Sequence, residues 1–338
     1  MLKNPFVTSG YDGPEYFCDR EEETVKLIRQ LTNGNNVVLM SPRRMGKTGL
    51  LHHAFQQEEI ANEYHTFVVD IYSTKNLNEL VAEMGKEILN ADATLDQIFD
   101  YIKQSDRPCL IAIDEFQQIA HYPEKNVEAI LRTYIQHCSN ANFVFSGSER
   151  HLLAEMFSSP ARPFYASTST LSLGCIDSIK YEAFAKAHFE KAGKHLEAGV
   201  VAAVYDKFDG VTWYIQKVLN HLFAETDAGE WCTKEMIDVA VDEIVKDNGE
   251  IYADLLYQLT AKQKELLMAI NIEGKAKTIT GSKFIKAHHL AAASSVQTAI
   301  KSLMDRQLVT FHLGEYEIYD KFFGIWLSSK SQVPSPKS

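Results

Sequence analysis

The 338-residue sequence predicts an α/β protein: a parallel-sheet core, then a helical domain, then a winged helix. Three observations predict this order. From 37 to 173, short apolar runs alternate with helical patterns, the pattern of parallel strands joined by right-handed crossovers. From 178 to 258 the periodicity is helical with little strand character. From 260 to 327, three short helical patterns precede a hairpin with Gly314 in its turn, and three helices plus a hairpin make a winged helix, a variant of helix-turn-helix.

Composition narrows the class. Hydrophobic content of 45% with 23% charged residues is ordinary for a globular chain long enough to bury a sizeable core. Five scattered cysteines (18, 109, 138, 175, 232), with no C-x-x-C spacing, argue against a disulfide framework or a zinc site and suit a reducing compartment. The N-terminus lacks an apolar leader, and no apolar run approaches the ~18 residues of a membrane span. The expectation is a cytoplasmic protein with no membrane partner. The net charge of -11 is unevenly placed: from residue 255 onward 11 Lys+Arg face 6 Asp+Glu, a balance of +5, leaving -16 for residues 1–254. Such asymmetry hints at nucleic-acid contact.

The first helical pattern, within residues 15–31, sets Val25, Leu27, Ile28 and Leu31 near one face after an acidic first turn. An apolar strand at 37–40 follows, then Ser41-Pro42-Arg43-Arg44-Met45-Gly46-Lys47-Thr48 and a helix running from Lys47 and Gly49 to about residue 58. The eight-residue segment fits the phosphate-binding (Walker A) pattern G-x-x-x-x-G-K-[ST] at every fixed position except the first, where Ser41 replaces Gly. A strand before it and a helix after it are the context that motif requires. Backbone N–H groups at the helix start would point at a phosphate, favoured by the helix dipole. Lys47 would reach the β and γ phosphates, and Thr48 would offer its hydroxyl to Mg²⁺. If position 41 needed φ > 0, Ser would cost about 1 kcal/mol that Gly would not.

The next strand is expected over 66–71, with helices at 76–90 and 94–104, the second opened by a Thr94-x-x-Gln97 capping box. The strand from Cys109 ends in Asp114-Glu115, so two carboxylates emerge at its C-terminal end, where ligands of parallel sheets sit. Asp114 fits the Walker B role of holding Mg²⁺, and Glu115 is placed to polarise an attacking water. After a helix at 126–138, the strand 142–148 closes in Ser146-Gly147-Ser148. Either serine could sense the γ-phosphate or simply cap the helix 149–157. Arg162, in a Pro-punctuated loop, stands about where an arginine finger would, and equally suits a surface ion pair.

In the helical region Gly210-Val211-Thr212-Trp213 separates two helices and could present a residue toward a nucleotide, although Trp213 and Tyr214 read more naturally as core. In the winged helix, capping boxes are expected at Thr260-x-x-Gln263 and Ser294-x-x-Gln297. Lys283, Lys286, Lys301 and Arg306 could make a phosphate-contacting face, with Ser295, Gln297, Thr298 and Lys301 as base readers. The same domain could instead pack on the nucleotide site.

Phe17-x-Asp19-Arg20-Glu21, Ser-Pro-Arg-Arg-Met-Gly-Lys-Thr, Ile113-Asp114-Glu115-Phe116-Gln117, the Ser-Gly-Ser strand end and the two C-terminal domains together resemble the archaeal-type ATPases of the STAND branch of the AAA+ superfamily. The resemblance covers nearly the whole chain. It implies ATP rather than GTP, in keeping with the lack of an Asn-Lys-x-Asp motif, and adenine binding near Phe17 and Arg20. Two positions depart from the pattern: Ser41, and Thr212, where a Pro commonly follows the lid glycine. The expected division is an ATPase core at 1–175, a helical lid at 176–258, a winged helix at 259–328 and a disordered tail at 329–338. The expected activity is Mg²⁺-dependent ATP hydrolysis driving a switch or motor, with a DNA-binding regulator that uses ATP structurally as the alternative. Duplex DNA, a protein partner or further copies of the chain are the expected partners.

Overall fold

Unbroken apolar runs become the strands of one parallel sheet. In the computed structural model, which describes residues 3–331, β1 (Val37–Met40), β2 (His65–Asp70), β3 (Cys109–Asp114), β4 (Ala141–Gly147) and β5 (Ser169–Ser172) stand in the order β2-β3-β4-β1-β5. Every residue of β1 and β3 is buried. Strands covered on both faces by crossover helices must be, and this explains VVLM and CLIA as continuous apolar runs.

Alternation through the sheet feeds two cores. Phe143 and Phe145 of β4 join Phe99, Phe116, Phe157 and Phe164 on one face. Val144, between them, faces Leu27, Leu31, Leu50 and Phe55 on the other, as the two-residue period of a strand requires. The register pairs Met40 with Gly147 and Ile113 with Phe145. The C-terminal ends of β1, β3 and β4 therefore come out level at one edge of the sheet.

The helices follow their patterns with local differences. The first, Glu21–Thr32, buries Thr24, Leu27, Ile28 and Leu31, while Val25 is 65% exposed; a 3.6-residue repeat back from Ile28 lands on 24, so Thr24 takes the buried place expected of Val25. The helix after the loop, Lys47–Phe55, stops short of 58, and a separate turn Glu58–Ala61 follows. The capping box at Thr94 forms as expected.

The chain divides into two compact units, Met1–Cys232 and Thr233–Ser338. Helices Ser178–Lys191, Val200–Lys207 and Thr212–Glu225 belong to the first unit, with a two-residue parallel pairing of His195–Leu196 and Trp231–Cys232 that the helical periodicity gave no sign of. Glu235–Asp247 and Gly249–Tyr257 belong to the second.

That second unit contains the winged helix: Ala261–Glu273, Ser282–Ala287, Ala293–Asp305 and the antiparallel hairpin Val309–His312/Glu315–Ile318. Both turn residues, Leu313 (φ 50°) and Gly314 (φ 84°), are left-handed, as a two-residue turn matched to strand twist needs. The Thr260 capping box forms. The one expected at Ser294 does not, because the helix already starts at Ala293 with Ala292 as an uncapped N-cap. A helix that the pattern reading missed, Lys321–Ser331, buries Phe322, Phe323 and Leu327 in this unit. It takes in residues 329–331 of the expected disordered tail; the rest of that tail, 332–338, lies outside the described residues.

Candidate nucleotide site

β1 delivers the chain into the loop at Ser41, which is fully buried and donates its hydroxyl to the Pro42 carbonyl at 2.9 Å. Ser41 is not among the positive-φ residues; the left-handed positions of the loop are Arg44 (φ 67°) and Gly46 (φ 89°). The Ser-for-Gly departure at the first position therefore carries no left-handed penalty. Gly46 is needed for its backbone conformation, since a Cβ there would meet nothing. It is the N-cap of helix Lys47–Phe55 and makes no side-chain cap, which leaves first-turn N–H groups available to an anion.

Three strand ends supply one acidic cluster. Asp114, at the end of β3, is buried and accepts hydrogen bonds from Thr48 Oγ1 (2.6 Å, to Oδ2), Ser146 Oγ (2.5 Å, to Oδ1) and the Glu115 N–H (3.0 Å). Because β4 stands between β3 and β1, adjacent strands being about 4.8 Å apart, the carboxylate has to bridge the breadth of a strand to meet the loop's threonine. Ser146, on the intervening strand, braces it on the way. Glu115 has φ 56°, an uncommon conformation for a residue with a Cβ and one that concentrates at functional sites. Its carboxylate accepts from Ser148 Oγ (2.8 Å) and Gln117 Nε2 (2.5 Å), and Lys47 Nζ lies 3.8 Å away.

Neither serine caps the following helix, Arg150–Ser158, whose N-cap Glu149 makes no side-chain bond. Both hydroxyls turn to the two carboxylates instead. Gly147 between them is there for space: a Cβ would sit 1.9 Å from Gln117 Oε1, so only glycine lets the glutamine side chain reach Glu115.

Lys47 is 6% exposed. Burial pushes its ammonium below the usual lysine range; Glu115 and Asp114 pull it back up, and Arg43 adds to the lowering. Asp70, beside Asp114 in the register, has its carboxyl raised, by burial first and then by its acidic neighbours, against a backbone hydrogen bond from Tyr72. Among the described residues no group of three or more His, Cys, Asp or Glu side chains could cage a metal. The oxygens of Thr48 and Asp114 fit Mg²⁺ all the same, because that ion typically uses one or two protein oxygens and takes the rest of its shell from phosphates and water.

The loop's two arginines point to different neighbours. Arg43 Nε donates to Ser148 Oγ (3.1 Å), joining the Glu115 network. Arg44 lies over the Trp213 and Tyr214 rings and hydrogen-bonds the Tyr214 hydroxyl. Arg20, 3% exposed, donates to the carbonyls of Met45 (3.2 Å) and Gly174 (2.8 Å) and pairs with Glu23. It holds the loop's backbone from behind.

Phe17 stacks on His53 with centroids 4.4 Å apart and lies edge-on to Tyr11 at 5.7 Å. Gly49 makes room for it, since a Cβ there would come within 3.2 Å of its ring. Tyr11 and His53, hydrogen-bonded at 2.8 Å, were not legible as site residues, because nothing in their spacing connects them. Arg162 belongs to a different cluster, pairing with Glu128 and, at 3.5 Å, with Glu155.

Residues 33–172 match the family model described as an AAA domain, and residues 250–329 match the one described as a probable winged helix domain. The fold is that of an AAA-type P-loop NTPase. Solved structures of the same architecture include the Walker-type ATPase of Pyrococcus abyssi (17% identity, TM-score 0.69, covering 96% of this chain and 99% of that one). The ORC2 protein of Aeropyrum pernix, in ADPNP and ADP complexes, gives 14% identity and a TM-score of 0.65 over 98% of this chain and 99% of that one. The ORC1 protein of the same organism, in complex with DNA, gives 12% and 0.58 over 94% of each chain. No curated protein matches. At these identities the AAA-type likeness is one of fold, and no helix of the described residues is long and apolar enough to cross a membrane.

Proposed function

We propose that the chain binds ATP with Mg²⁺ on the loop Ser41–Thr48 and hydrolyses it, as a nucleotide-dependent switch or motor of the STAND type. The observation that carries this reading is the convergence of Thr48, Asp114 and Ser146 beside the Lys47–Glu115 pair. Loop N–H groups and Lys47 bind and orient the phosphates, while Phe17 and Gly49 form the side where adenine lies. Thr48 and Asp114 would hold Mg²⁺, which would supply charge neutralisation on the phosphates. Glu115 accepts a proton from the attacking water, with Ser148 and Gln117 setting the direction of its carboxylate. Ser146 keeps Asp114 aimed at Thr48. A nucleotide-binding and turnover assay tests this, run with and without Mg²⁺ and duplex DNA; undetectable ATP binding by folded protein would reject it.

Arg162 enters as a cation for a neighbouring subunit's ATP, at the expense of its pairs with Glu128 and Glu155. Mixing Arg162→Ala with Lys47→Ala protein should then restore some turnover, since each supplies the half-site the other lacks. Lack of rescue in a confirmed oligomer assigns Arg162 to its ion pairs alone.

A second reading, a DNA-binding regulator in which ATP is structural, is favoured by one observation: Lys283, Lys286, Lys301 and Arg306 are all exposed on the winged helix. Binding there would be carried by phosphates and be weakly sequence-specific, since helix Ala293–Asp305 exposes Ala293, Ser294, Gln297, Thr298 and Lys301 over its first turns, with no arginine among them and Ser295 half-buried.

A further inference from the structure

Arg44 occupies a left-handed backbone position, which a residue with a Cβ disfavours unless something else holds it there. Two contacts do so, both from helix Thr212–Glu225. The Arg44 carbonyl accepts the Trp213 N–H at 3.0 Å. Its guanidinium lies 4.4 Å from the Trp213 ring centroid and 4.9 Å from that of Tyr214, with a hydrogen bond to the Tyr214 hydroxyl.

The helix has a matching need. Its N-cap, Val211, offers no side-chain cap, and Trp213 is its second residue, so the Trp213 N–H is one of the amides a helix start leaves unsatisfied. The phosphate loop supplies the missing acceptor. The aromatic pair is itself fixed in place: Trp213 Nε1 donates to the Thr8 carbonyl at 2.9 Å, and Tyr214, 2% exposed, stacks on Phe208 with centroids 5.3 Å apart.

We propose that Arg44 is a coupling residue: its seat on Trp213 and Tyr214 holds the phosphate loop in its binding geometry and transmits nucleotide occupancy to helix Thr212–Glu225. The proposal rests on the ATP reading of the loop. Coupling between the two sites is reciprocal: if the Trp213 contact favours the nucleotide-binding loop, bound nucleotide strengthens that contact by the same factor. Trp213 thus becomes both a determinant of affinity and its reporter, without itself touching phosphate. The chain has three tryptophans, so replacing Trp231 and Trp326 by Phe leaves Trp213 as the sole indole.

In that single-tryptophan protein, ADP and a non-hydrolysable ATP analogue should shift Trp213 emission saturably, at the affinity that calorimetry gives independently. Arg44→Gly keeps the left-handed backbone accessible while removing the side chain, and Trp213→Leu removes the ring. Each should weaken nucleotide affinity about threefold to tenfold, the double variant should be no weaker than the worse single one, and Trp213→Phe, which keeps a ring face, should stay near wild type. Nucleotide bound by calorimetry with no change in Trp213 emission, or additive losses in the cycle, would overturn the proposal while leaving the ATP reading intact. No calorimetric binding to wild type overturns both. If Trp213→Leu does not fold by circular dichroism, the emission titration, which leaves the contact unaltered, decides.

Discussion

The edge of the sheet and the face of the winged helix both carry the polar groups proposed above to meet a polyanionic ligand, but they hold those groups differently. At the sheet edge, the Asp114 carboxylate accepts three hydrogen bonds, Glu115 lies within reach of three side chains, and Lys47 is nearly enclosed. On the winged helix, Lys283, Lys286, Lys301 and Arg306 stand in solvent. A crosslinked, desolvated group is preorganised, so losing one member should cost much; an exposed cation acts through summed charge, so losing one should cost little and depend on salt.

The largest expected effect comes from Lys47→Ala. ATP affinity should fall by about 10² or more with the fold intact by circular dichroism, since the ammonium makes a charge-assisted contact in a water-poor site. Unchanged affinity for labelled ATP would erase the contrast between the two surfaces.

Next is Glu115→Gln, which should retain ATP and slow turnover by about 10². Asp114→Asn should instead lose the Mg²⁺ dependence of binding. Equal turnover in Glu115→Gln and wild type would move the base to another group.

On the winged helix, the pair Lys301→Glu and Arg306→Glu should abolish duplex binding at moderate salt and spare ATP binding. A single Lys301→Ala should only lower the slope of log K against log salt by about one. If wild type fails to bind duplex at low salt in either nucleotide state, this face is not a DNA surface. A change in ATP turnover caused by the double variant without DNA would make the domain a nucleotide-coupled element.

The smallest effect concerns pH. Burial lowers the pKa of His53 below 6.5, so the folded protein binds fewer protons there than the unfolded chain. Stability from this group is complete above pH 6.5 and is lost as pH falls through the folded pKa. Thermal melts between pH 5 and 7.5 should show wild type losing more on acidification than His53→Gln; parallel curves would remove His53 from the account.

The phosphate loop and the Asp114-Glu115 strand end were legible because they are local: a strand, a turn and a helix start lie within about fifteen consecutive residues, and the chemistry needs those residue types in that order. Ser146 in β4 and Ser148 just past its end were legible only as a choice between capping and sensing, since a serine before a helix supports either. The register of β4 between β1 and β3 directed both hydroxyls to carboxylates. The Ser294 box failed for a related reason: a capping pattern says where a helix is able to start, and this helix starts two residues earlier, at Ala293 with Ala292 as its N-cap.

By itself the sequence determined the parallel core, the loop, the acidic pair and the C-terminal winged helix, all set by hydrophobic period and by short-range backbone chemistry. Only the tertiary structure decided what Arg43, Arg44, Arg20 and Arg162 do. Four arginines in loops or at a helix start carry the same side chain and no periodicity. What separates them is which carbonyl, ring or carboxylate the fold brings within reach, over separations from three residues (Arg20 to Glu23) to 170 (Arg44 to Tyr214).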